Sequence, residues 1–263
     1  MSTVTGRSRS LRNAAVLITG ASAGIGAACA RVFAAEGARL ILAARRAERL
    51  QELADKLRGG GTDVLALELD VRDAGAVAHA LGALPAEWSA IDVLVNNAGL
   101  GRGLDKLWEG QPADWDEMVD TNVKGLLYVT GAVVPGMVAR GHGHVINLGS
   151  VAGHEVYPGG AVYCATKHAV AALTQGLRMD VLGTGIRVST VDPGMVETEF
   201  SVVRFHGDEG RAKNVYRNMT PLTPDDIAET IVWVATRPPH VCIDEIIIKP
   251  TDQASATLVH RKG

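Results

Sequence analysis

Residues 14–26 read AAVLITGASAGIG, in which an apolar run passes directly into a glycine-rich turn. An uninterrupted apolar run is typical of a strand buried on both faces, and the segment after Gly26 has the length and composition of a helix. Between a strand and a helix, such glycines permit a tight turn, close approach of backbone N–H groups to a pyrophosphate, and close helix–strand packing. The stretch therefore predicts a dinucleotide-binding turn at the start of an α/β domain.

Apolar runs of strand length alternate with helix-length segments along the rest of the chain. This alternation indicates a parallel sheet covered on both faces, so we expect a single doubly wound Rossmann domain over residues 13–250, with about seven strands. The predicted strands are Ala14–Thr19, Arg39–Ala44, Val64–Glu68, Val93–Val95, Val145–Leu148, Arg187–Val191 and Ile243–Lys249. The predicted helices are Ala28–Glu36, Ala47–Arg58, Asp73–Leu81, Asp114–Ala139, Tyr163–Leu182 and Pro224–Thr236. Pro135 is expected to end or kink the fourth helix.

Three segments depart from this regular pattern. Residues 1–12 are basic and lack the apolar stretch of a secretory signal, so we expect a disordered tail. Residues 195–218 carry mixed charges and are predicted to form the substrate loop, either as a functional lid or as a disordered segment. Residues 251–263 are expected to form a C-terminal tail.

Composition excludes several classes of protein. The 26 Lys and Arg against 29 Asp and Glu give a net charge of −3, with no electrostatic reason to expect nucleic acid or an anionic membrane as partner. The uncharged stretch 13–30 is interrupted by glycines and suits a strand–turn–helix better than a bilayer span. Three widely spaced cysteines and the lone GHGH at 141–144 predict neither a disulfide framework nor a metal site. We expect a cytoplasmic protein with a small-molecule partner.

The second predicted strand ends in two arginines rather than an acidic residue. An acidic residue there would bind the ribose hydroxyls of NAD and repel a 2′-phosphate. Because guanidinium groups suit bidentate binding of a phosphate dianion, Arg45 and Arg46 predict a preference for NADP. The alternative is that both are ordinary solvated residues at a helix start.

Tyr163 and Lys167 are four residues apart in a predicted helix and therefore share a face. A nearby ammonium and the positive ring of an oxidised nicotinamide would lower the high pKa of a tyrosine. Tyr163 could then exchange a hydroxyl proton while a hydride moves to or from the coenzyme. Ser150, at the end of a strand, could hold the substrate oxygen. Asn122 interrupts a predicted helix, either as a local kink or as a water-holding group in a proton path to Lys167.

The motifs of the chain occur in the order of a known family. They are Thr19-Gly20-x-x-x-Gly24-Ile25-Gly26, Asp70-Val71, Asn96-Asn97-Ala98-Gly99, Asn122, Ser150, Tyr163-x-x-x-Lys167 and Pro193-Gly194-x-x-x-Thr198. Over about residues 12–250 the chain resembles the short-chain dehydrogenase/reductase family, with one departure at Gly149, where the family often has Ser.

This resemblance implies a catalytic tetrad of Asn122, Ser150, Tyr163 and Lys167. It also implies adenine contact near Asp70, support of the crevice floor by Asn96–Gly99, and carboxamide contact near Thr198. The expected coenzyme-binding residues are Gly20, Ser22, Gly24, Ile25, Gly26, Arg45, Arg46, Asp70, Val71, Asn97, Ala98, Gly99, Tyr163, Lys167, Pro193, Gly194, Val196 and Thr198.

Four segments narrow the resemblance to bacterial NADP-dependent serine 3-dehydrogenases, also described as 3-hydroxy acid dehydrogenases. They are residues 84–100, 135–150, 197–210 and 222–241. The likeness implies oxidation of a small 3-hydroxy acid at its β-carbon, or reduction of the carbonyl product, by a homotetramer.

A carboxylate substrate requires a cation, and Arg204 is the candidate clamp unless it is a surface arginine on a loop. Tyr157 either lines the same pocket beside Ser150 or is a packing residue.

Two alternative functions remain open. The ending DEIIIKPTDQ also resembles NADPH-dependent aldehyde reductases that act on a clavulanate-like aldehyde or on sulfoacetaldehyde, and a non-catalytic NADP-binding sensor would share the same fold.

Overall fold

The computed structural model describes residues 9–263 and contains one sheet of seven parallel strands. The strands are β1 (Ala15–Thr19), β2 (Arg39–Ala44), β3 (Val64–Glu68), β4 (Val93–Asn96), β5 (Gly143–Leu148), β6 (Ile186–Pro193) and β7 (Glu245–Ile248). Their order is β3-β2-β1-β4-β5-β6-β7. The strands after β1 are added first on one side of it and, from β4 onward, on the other side, so the topological switch point lies between β1 and β4. This arrangement opens a crevice at the carboxyl ends of the strands, and it confirms the predicted doubly wound α/β fold.

Helices cover both faces of the sheet. They are α1 (Gly24–Ala35), α2 (Ala47–Gly59), α3 (Ala74–Gly82), α4 (Pro112–Val119), α5 (Leu126–Arg140), α6 (Ala161–Asp180), α7 (Phe200–Arg204), α8 (Glu209–Val215) and α9 (Pro224–Ala235). Side chains of β1 alternate between two cores: Val16 and Ile18 pack with α1, α2 and α9, whereas Leu17 packs with α3 and α5. Burial of both faces explains why the strand is apolar from Ala15 to Ile18.

The predicted helix at 114–139 is divided in the structure. A single wide π turn, Asp120–Gly125, separates α4 from α5. Pro135 does not end the helix, since α5 continues to Arg140. Proline removes only one intrahelical hydrogen bond, and the buried α5 residues Val133 and Met137 hold the helix against the sheet.

The segments expected to be irregular carry more structure than predicted. Within the predicted loop 195–218 the chain forms α7 and α8. Residues 1–8 of the expected N-terminal tail lie outside the described residues. In the remainder of that tail, Leu11 is fully buried and the Arg9 N–H donates to the Thr236 carbonyl, so residues 9–12 pack against the domain.

One helical stretch among the described residues, 112–140, is long and apolar enough to cross a membrane by length and composition alone. It includes the π turn and α5, whose inner face contributes Val129 and Met137 to the core. Core helices also meet this criterion, so it does not decide the environment of the chain.

Candidate active site

The turn between β1 and α1 requires glycine at two positions because neighbouring atoms leave no room for a side chain. A Cβ on Gly26 would collide with the Gly20 carbonyl oxygen and the Asn97 side chain. A Cβ on Gly20 would lie 2.9 Å from the Ala98 Cα, and the φ of Gly20 is +66°. The absence of these side chains leaves the backbone open to a pyrophosphate, which the N-terminus of α1 favours electrostatically.

The floor of the crevice is fixed by hydrogen bonds between β1 and the segment after β4. The Thr19 hydroxyl accepts from the N–H groups of Asn97 and Ala98 at 3.1 and 3.0 Å. The Asn97 amide donates in turn to the carbonyls of Thr19 and Gly20. Asn96 points the other way and donates to the buried Asn147, so its role is structural.

One cleft of about 790 Å³ gathers almost all the predicted site residues. A volume of this size suits a small-molecule ligand together with a coenzyme. The predicted residues that line it are Gly20, Ser22, Gly24, Ile25, Arg45, Arg46, Asp70, Val71, Asn97, Ala98, Gly99, Ser150, Tyr157, Tyr163, Lys167, Pro193, Gly194, Val196, Thr198 and Arg204. Gly26 and Asn122 do not line the cleft: Gly26 packs against Gly20, and Asn122 holds the segment after β4.

Arginines collect at the end of the cleft beside β2. Arg46 donates to the Ser22 hydroxyl at 3.2 Å and pairs with Glu199 at 2.8 Å. Arg45 lies 3.9 Å from Glu117 and is half exposed. This end of the cleft therefore presents guanidinium groups directly beside the glycine-rich turn, as a 2′-phosphate requires.

Asp70, the expected adenine contact, is held by Arg72. The Arg72 guanidinium donates to both carboxylate oxygens, at 2.6 Å in the shortest contact. Burial alone would raise the pKa of Asp70, but the hydrogen bonds from Arg72 outweigh it and lower that pKa. Asp70 therefore remains an anion with a fixed orientation in the cleft wall.

Ser150, Tyr163 and Lys167 meet at the opposite end of the cleft. Tyr163 and Lys167 lie in the first turns of α6, as predicted, and the Lys167 ammonium is 6.0 Å from the centre of the Tyr163 ring. The same ammonium donates to the Leu148 carbonyl at 2.8 Å. Burial lowers the pKa of Lys167 to about 8, although Asp192 opposes the shift.

Burial has the opposite effect on Tyr163. It raises the pKa of the phenol, and the strongest opposing influence is the Arg204 guanidinium, with a smaller one from the Ser150 hydroxyl. The Arg204 guanidinium, 4.9 Å from the centre of the Tyr163 ring, is therefore a second cation beside the phenol, in addition to the predicted Lys167.

Asn122 is buried in the π turn and makes three hydrogen bonds. Its amide oxygen accepts from the Leu100 N–H at 2.8 Å, and its amide nitrogen donates to the Leu100 carbonyl and to the Thr166 hydroxyl. Its oxygen and the Lys167 ammonium both lie within 3.7 Å of the position a Cβ on Gly99 would occupy. Asn122 thus holds the segment after β4 close to Lys167 by hydrogen bonds. Single π turns of this kind are frequent at functional sites.

Arg204 reaches the active end of the cleft from the last residue of α7. Its guanidinium donates to the Tyr157 hydroxyl at 2.9 Å and lies 4.9 Å from the centre of the Phe200 ring. The Nε of Arg204 is buried without a hydrogen-bond partner among the described residues. A cation with an unused donor beside Tyr163 can bind an anionic group of a substrate.

Sequence reasoning missed several residues of the site. Phe200 packs edge-on against Tyr163, with 5.5 Å between ring centres. Gln253, in the expected C-terminal tail, lines the cleft and accepts from the Met195 N–H at 2.8 Å. The only indication of Gln253 in the sequence is its place in the stretch DEIIIKPTDQ. Its contact with Met195 depends on the tertiary fold and could not be predicted from local sequence.

The departure at Gly149 has a local cause. A Cβ there would collide with the Asp192 carboxylate, whose oxygen accepts from the Thr190 hydroxyl. Asp192 thus fills the space in which a serine side chain would otherwise lie. The two positions are therefore coupled by packing.

Two histidine positions bear on the prediction of no metal site. The stretch GHGH at 141–144 is typical of a solvated loop, but this interpretation is wrong for His144, which is fully buried in β5 and bonds to Ser189. His154, Asp192 and Glu245 bring donor atoms within 4.8 Å of one another. Nε2 of His154 lies 2.5 Å from the Asp192 carboxylate and 2.9 Å from that of Glu245, and the proximity of Asp192 raises the pKa of Glu245.

Comparison with known proteins adds independent information. The family model described as short chain dehydrogenase matches residues 14–208. The chain is 49% identical over 249 residues to the NADP-dependent 3-hydroxy acid dehydrogenase YdfG of Escherichia coli strain K12, covering 94% of this chain and 99% of that protein. It is 47% identical to the NADP-dependent 3-hydroxy acid dehydrogenase of Schizosaccharomyces pombe, covering 94% and 96% of the two chains.

A solved structure described as the closed form of serine dehydrogenase complexed with NADP+ is similar throughout. It shares 49% identity and a TM-score of 0.90, covering 94% of this chain and all of the other. In this chain, residues 195–218 contribute α7 to the cleft. Both the family model and this structure agree with the doubly wound fold.

Proposed function

This chain belongs to the short-chain dehydrogenase family, and we propose that it interconverts a small 3-hydroxy acid and its carbonyl product with NADP(H). The observation that carries the proposal is the placement of Tyr163, Ser150 and Arg204 at one end of a cleft whose other end presents Arg45 and Arg46. The relatives named above are NADP-dependent dehydrogenases of such acids. They do not favour the aldehyde-reductase or sensor alternatives.

The coenzyme would lie along the glycine-rich turn, with its 2′-phosphate at Arg45 and Arg46. The turn without side chains at Gly20 and Gly26 supports this placement, since it admits a pyrophosphate to the backbone. Asp70 would face the adenine, and Thr198 would face the carboxamide. NADP+ held by these residues would supply the hydride acceptor for the reaction.

The residues of the chain would manage the proton and the substrate oxygen. Ser150 holds the hydroxyl oxygen of the substrate, and Tyr163 as phenolate takes its proton. Lys167 binds the ribose through ammonium protons not engaged with Leu148. Asn122 holds the segment beside Lys167 and supports a water-mediated proton path.

Arg204 would select acids over neutral alcohols. Its guanidinium lies beside Tyr163, and its buried Nε has no protein partner among the described residues, so a substrate carboxylate would supply the missing acceptor. Tyr157 would position the guanidinium through the hydrogen bond it accepts. The resulting anchor places the β-carbon hydroxyl of a 3-hydroxy acid near Ser150 and Tyr163.

A substrate panel tests this function. Serine, 3-hydroxyisobutyrate and 3-hydroxypropionate are each incubated with NADP+ or NAD+, and reduced coenzyme is followed by absorbance. We expect reduction of NADP+ by at least one of these acids and a higher kcat/KM with NADP+ than with NAD+. Turnover of sulfoacetaldehyde or bulky aldehydes alone would contradict the 3-hydroxy acid assignment.

We also propose that the enzyme is a cytoplasmic homotetramer. Exposed apolar side chains on α5 and around the end of α6 support an interface between copies of the chain; they include Leu127, Val138, Met179 and Leu182. Sedimentation equilibrium tests the assembly: a tetramer mass is expected, and a monomer at micromolar concentration contradicts it.

A further inference from the structure

We propose that Glu199 is a coenzyme-specificity residue: its carboxylate competes with the 2′-phosphate of NADP for the guanidinium groups of Arg46 and Arg49. The inference rests on the proposed placement of that phosphate at the end of β2. It adds two residues to the proposed phosphate site: Glu199, from the predicted substrate loop 195–218, and a third arginine, Arg49.

The contacts of Glu199 define this role. One carboxylate oxygen lies 2.8 Å from Arg46 and the other 2.6 Å from Arg49, so a single anion bridges two guanidinium groups. Among residues 9–263, neither arginine has another acidic partner. Arg46 also donates to Ser22 of the glycine-rich turn. The ion pairs of Glu199 therefore lie beside the proposed binding site of the coenzyme phosphates.

A carboxylate and a phosphate are alternative ligands for the same donors. Both present anionic oxygens to the planar N–H fork of a guanidinium. A dianionic 2′-phosphate that approaches Arg46 must therefore displace Glu199 or share its donors against like-charge repulsion. NAD has a ribose hydroxyl at that position and meets no such competition.

The position of Glu199 also connects the two ends of the cleft. It directly precedes α7, and α7 ends at Arg204 beside Tyr163. Thr198, the preceding residue, packs against Gly24 of the phosphate-binding turn. Because α7 has only five residues, displacement of Glu199 acts on the helix that carries the proposed carboxylate anchor.

Equilibrium titration of NADPH and NADH by fluorescence tests the inference. The proteins are the unmodified chain, Glu199→Gln and the control Glu197→Gln, which changes the same charge at an exposed position two residues away. At low salt we expect Glu199→Gln to bind NADPH about threefold to tenfold more tightly, the range for loss of one or two exposed ion pairs. NADH affinity should stay within about twofold, and the control should leave both affinities unchanged.

The opposite results overturn the inference. Weaker or unaltered NADPH binding by Glu199→Gln contradicts the competition, and an equal gain for NADH contradicts its link to the 2′-phosphate. The Arg46→Gln variant distinguishes failure of the Glu199 role from failure of the proposed 2′-phosphate site. If Arg46→Gln loses NADPH affinity while Glu199→Gln changes nothing, only the role of Glu199 fails; if Arg46→Gln leaves both affinities unaltered, the phosphate placement and this inference fail together.

Discussion

The guanidinium of Arg204 lies 4.9 Å from the centre of the Tyr163 ring, closer than the Lys167 ammonium at 6.0 Å. A cation at this position favours the phenolate form of the tyrosine. Arg204 therefore has two tasks in the proposed reaction, since it binds the substrate carboxylate and lowers the pKa of the proton-transferring group.

Replacement of Arg204 by Gln should alter both rate and pH dependence. We expect kcat/KM for a 3-hydroxy acid to fall about tenfold to hundredfold, because a charge-assisted hydrogen bond is lost. Removal of the cation raises the pKa of Tyr163, so the rising limb of the oxidation pH profile should move to higher pH. Arg211→Gln, a cation stacked on Phe205 in the same segment, is the control. An unshifted profile for Arg204→Gln would refute the electrostatic task.

Lys167 should impose a measurable pH dependence on stability. Its pKa is about 8 when folded, against an ordinary value of 10.5, so between these pH values the unfolded chain binds more protons at this residue. This contribution to stability therefore rises as pH increases across the window. Urea unfolding at pH 7 and pH 10 should show the unmodified protein gaining about 2 kcal/mol relative to Lys167→Met. A stability difference that does not vary with pH contradicts this; Lys56→Met is the exposed control.

Coenzyme preference should depend on Arg45. We expect Arg45→Glu to reduce the ratio of kcat/KM for NADP+ over NAD+ by about tenfold to hundredfold, because a favourable phosphate contact becomes a repulsive one. Steady-state kinetics with both coenzymes measures the ratio. If the ratio does not change, Arg45 is an ordinary surface residue and the phosphate lies elsewhere.

The packing of Gly149 against Asp192 predicts a cost for any side chain there. Gly149→Ala should lower the free energy of unfolding by about 1–3 kcal/mol, as overpacked sites do. Gly131→Ala, in an exposed turn of α5 with no atom near the added methyl group, should instead raise it by about 0.5–1 kcal/mol. Denaturant unfolding compares the two, and equal effects would show that crowding at Asp192 is absent.

Local sequence determines much of this fold. The apolar runs predict all seven strands, most clearly β1 and β2, which are buried on both faces, and glycine spacing predicts the turn after β1. The π turn at Asn122 and the helices of 195–218 were not predicted, since no periodicity distinguishes a wide turn from an ordinary one. Pro135 within α5 shows that packing of one helix face can outweigh the loss of a single hydrogen bond.

The site was predictable where its chemistry follows a motif and not where it depends on distant contacts. Tyr163, Lys167 and Ser150 could be identified from spacing and strand position. The proximity of Arg204 to Tyr163, the bridge from Glu199 to Arg46, and the reach of Gln253 into the cleft depend on segments far apart in the chain. Sequence reasoning identified Lys167 as a cation near Tyr163 from helical spacing, but spacing gives no information on Arg204, which comes from a distant segment.

The central claim is that Tyr163 transfers the proton while the hydride moves. Tyr163→Phe removes one oxygen and keeps the ring that packs on Phe200. The most direct measurement is single-turnover hydride transfer beside an NADPH titration of the same variant. We expect the rate to fall by about 10²–10⁴ with NADPH affinity within about twofold of the unmodified protein. Hydride transfer at an undiminished rate would contradict the account.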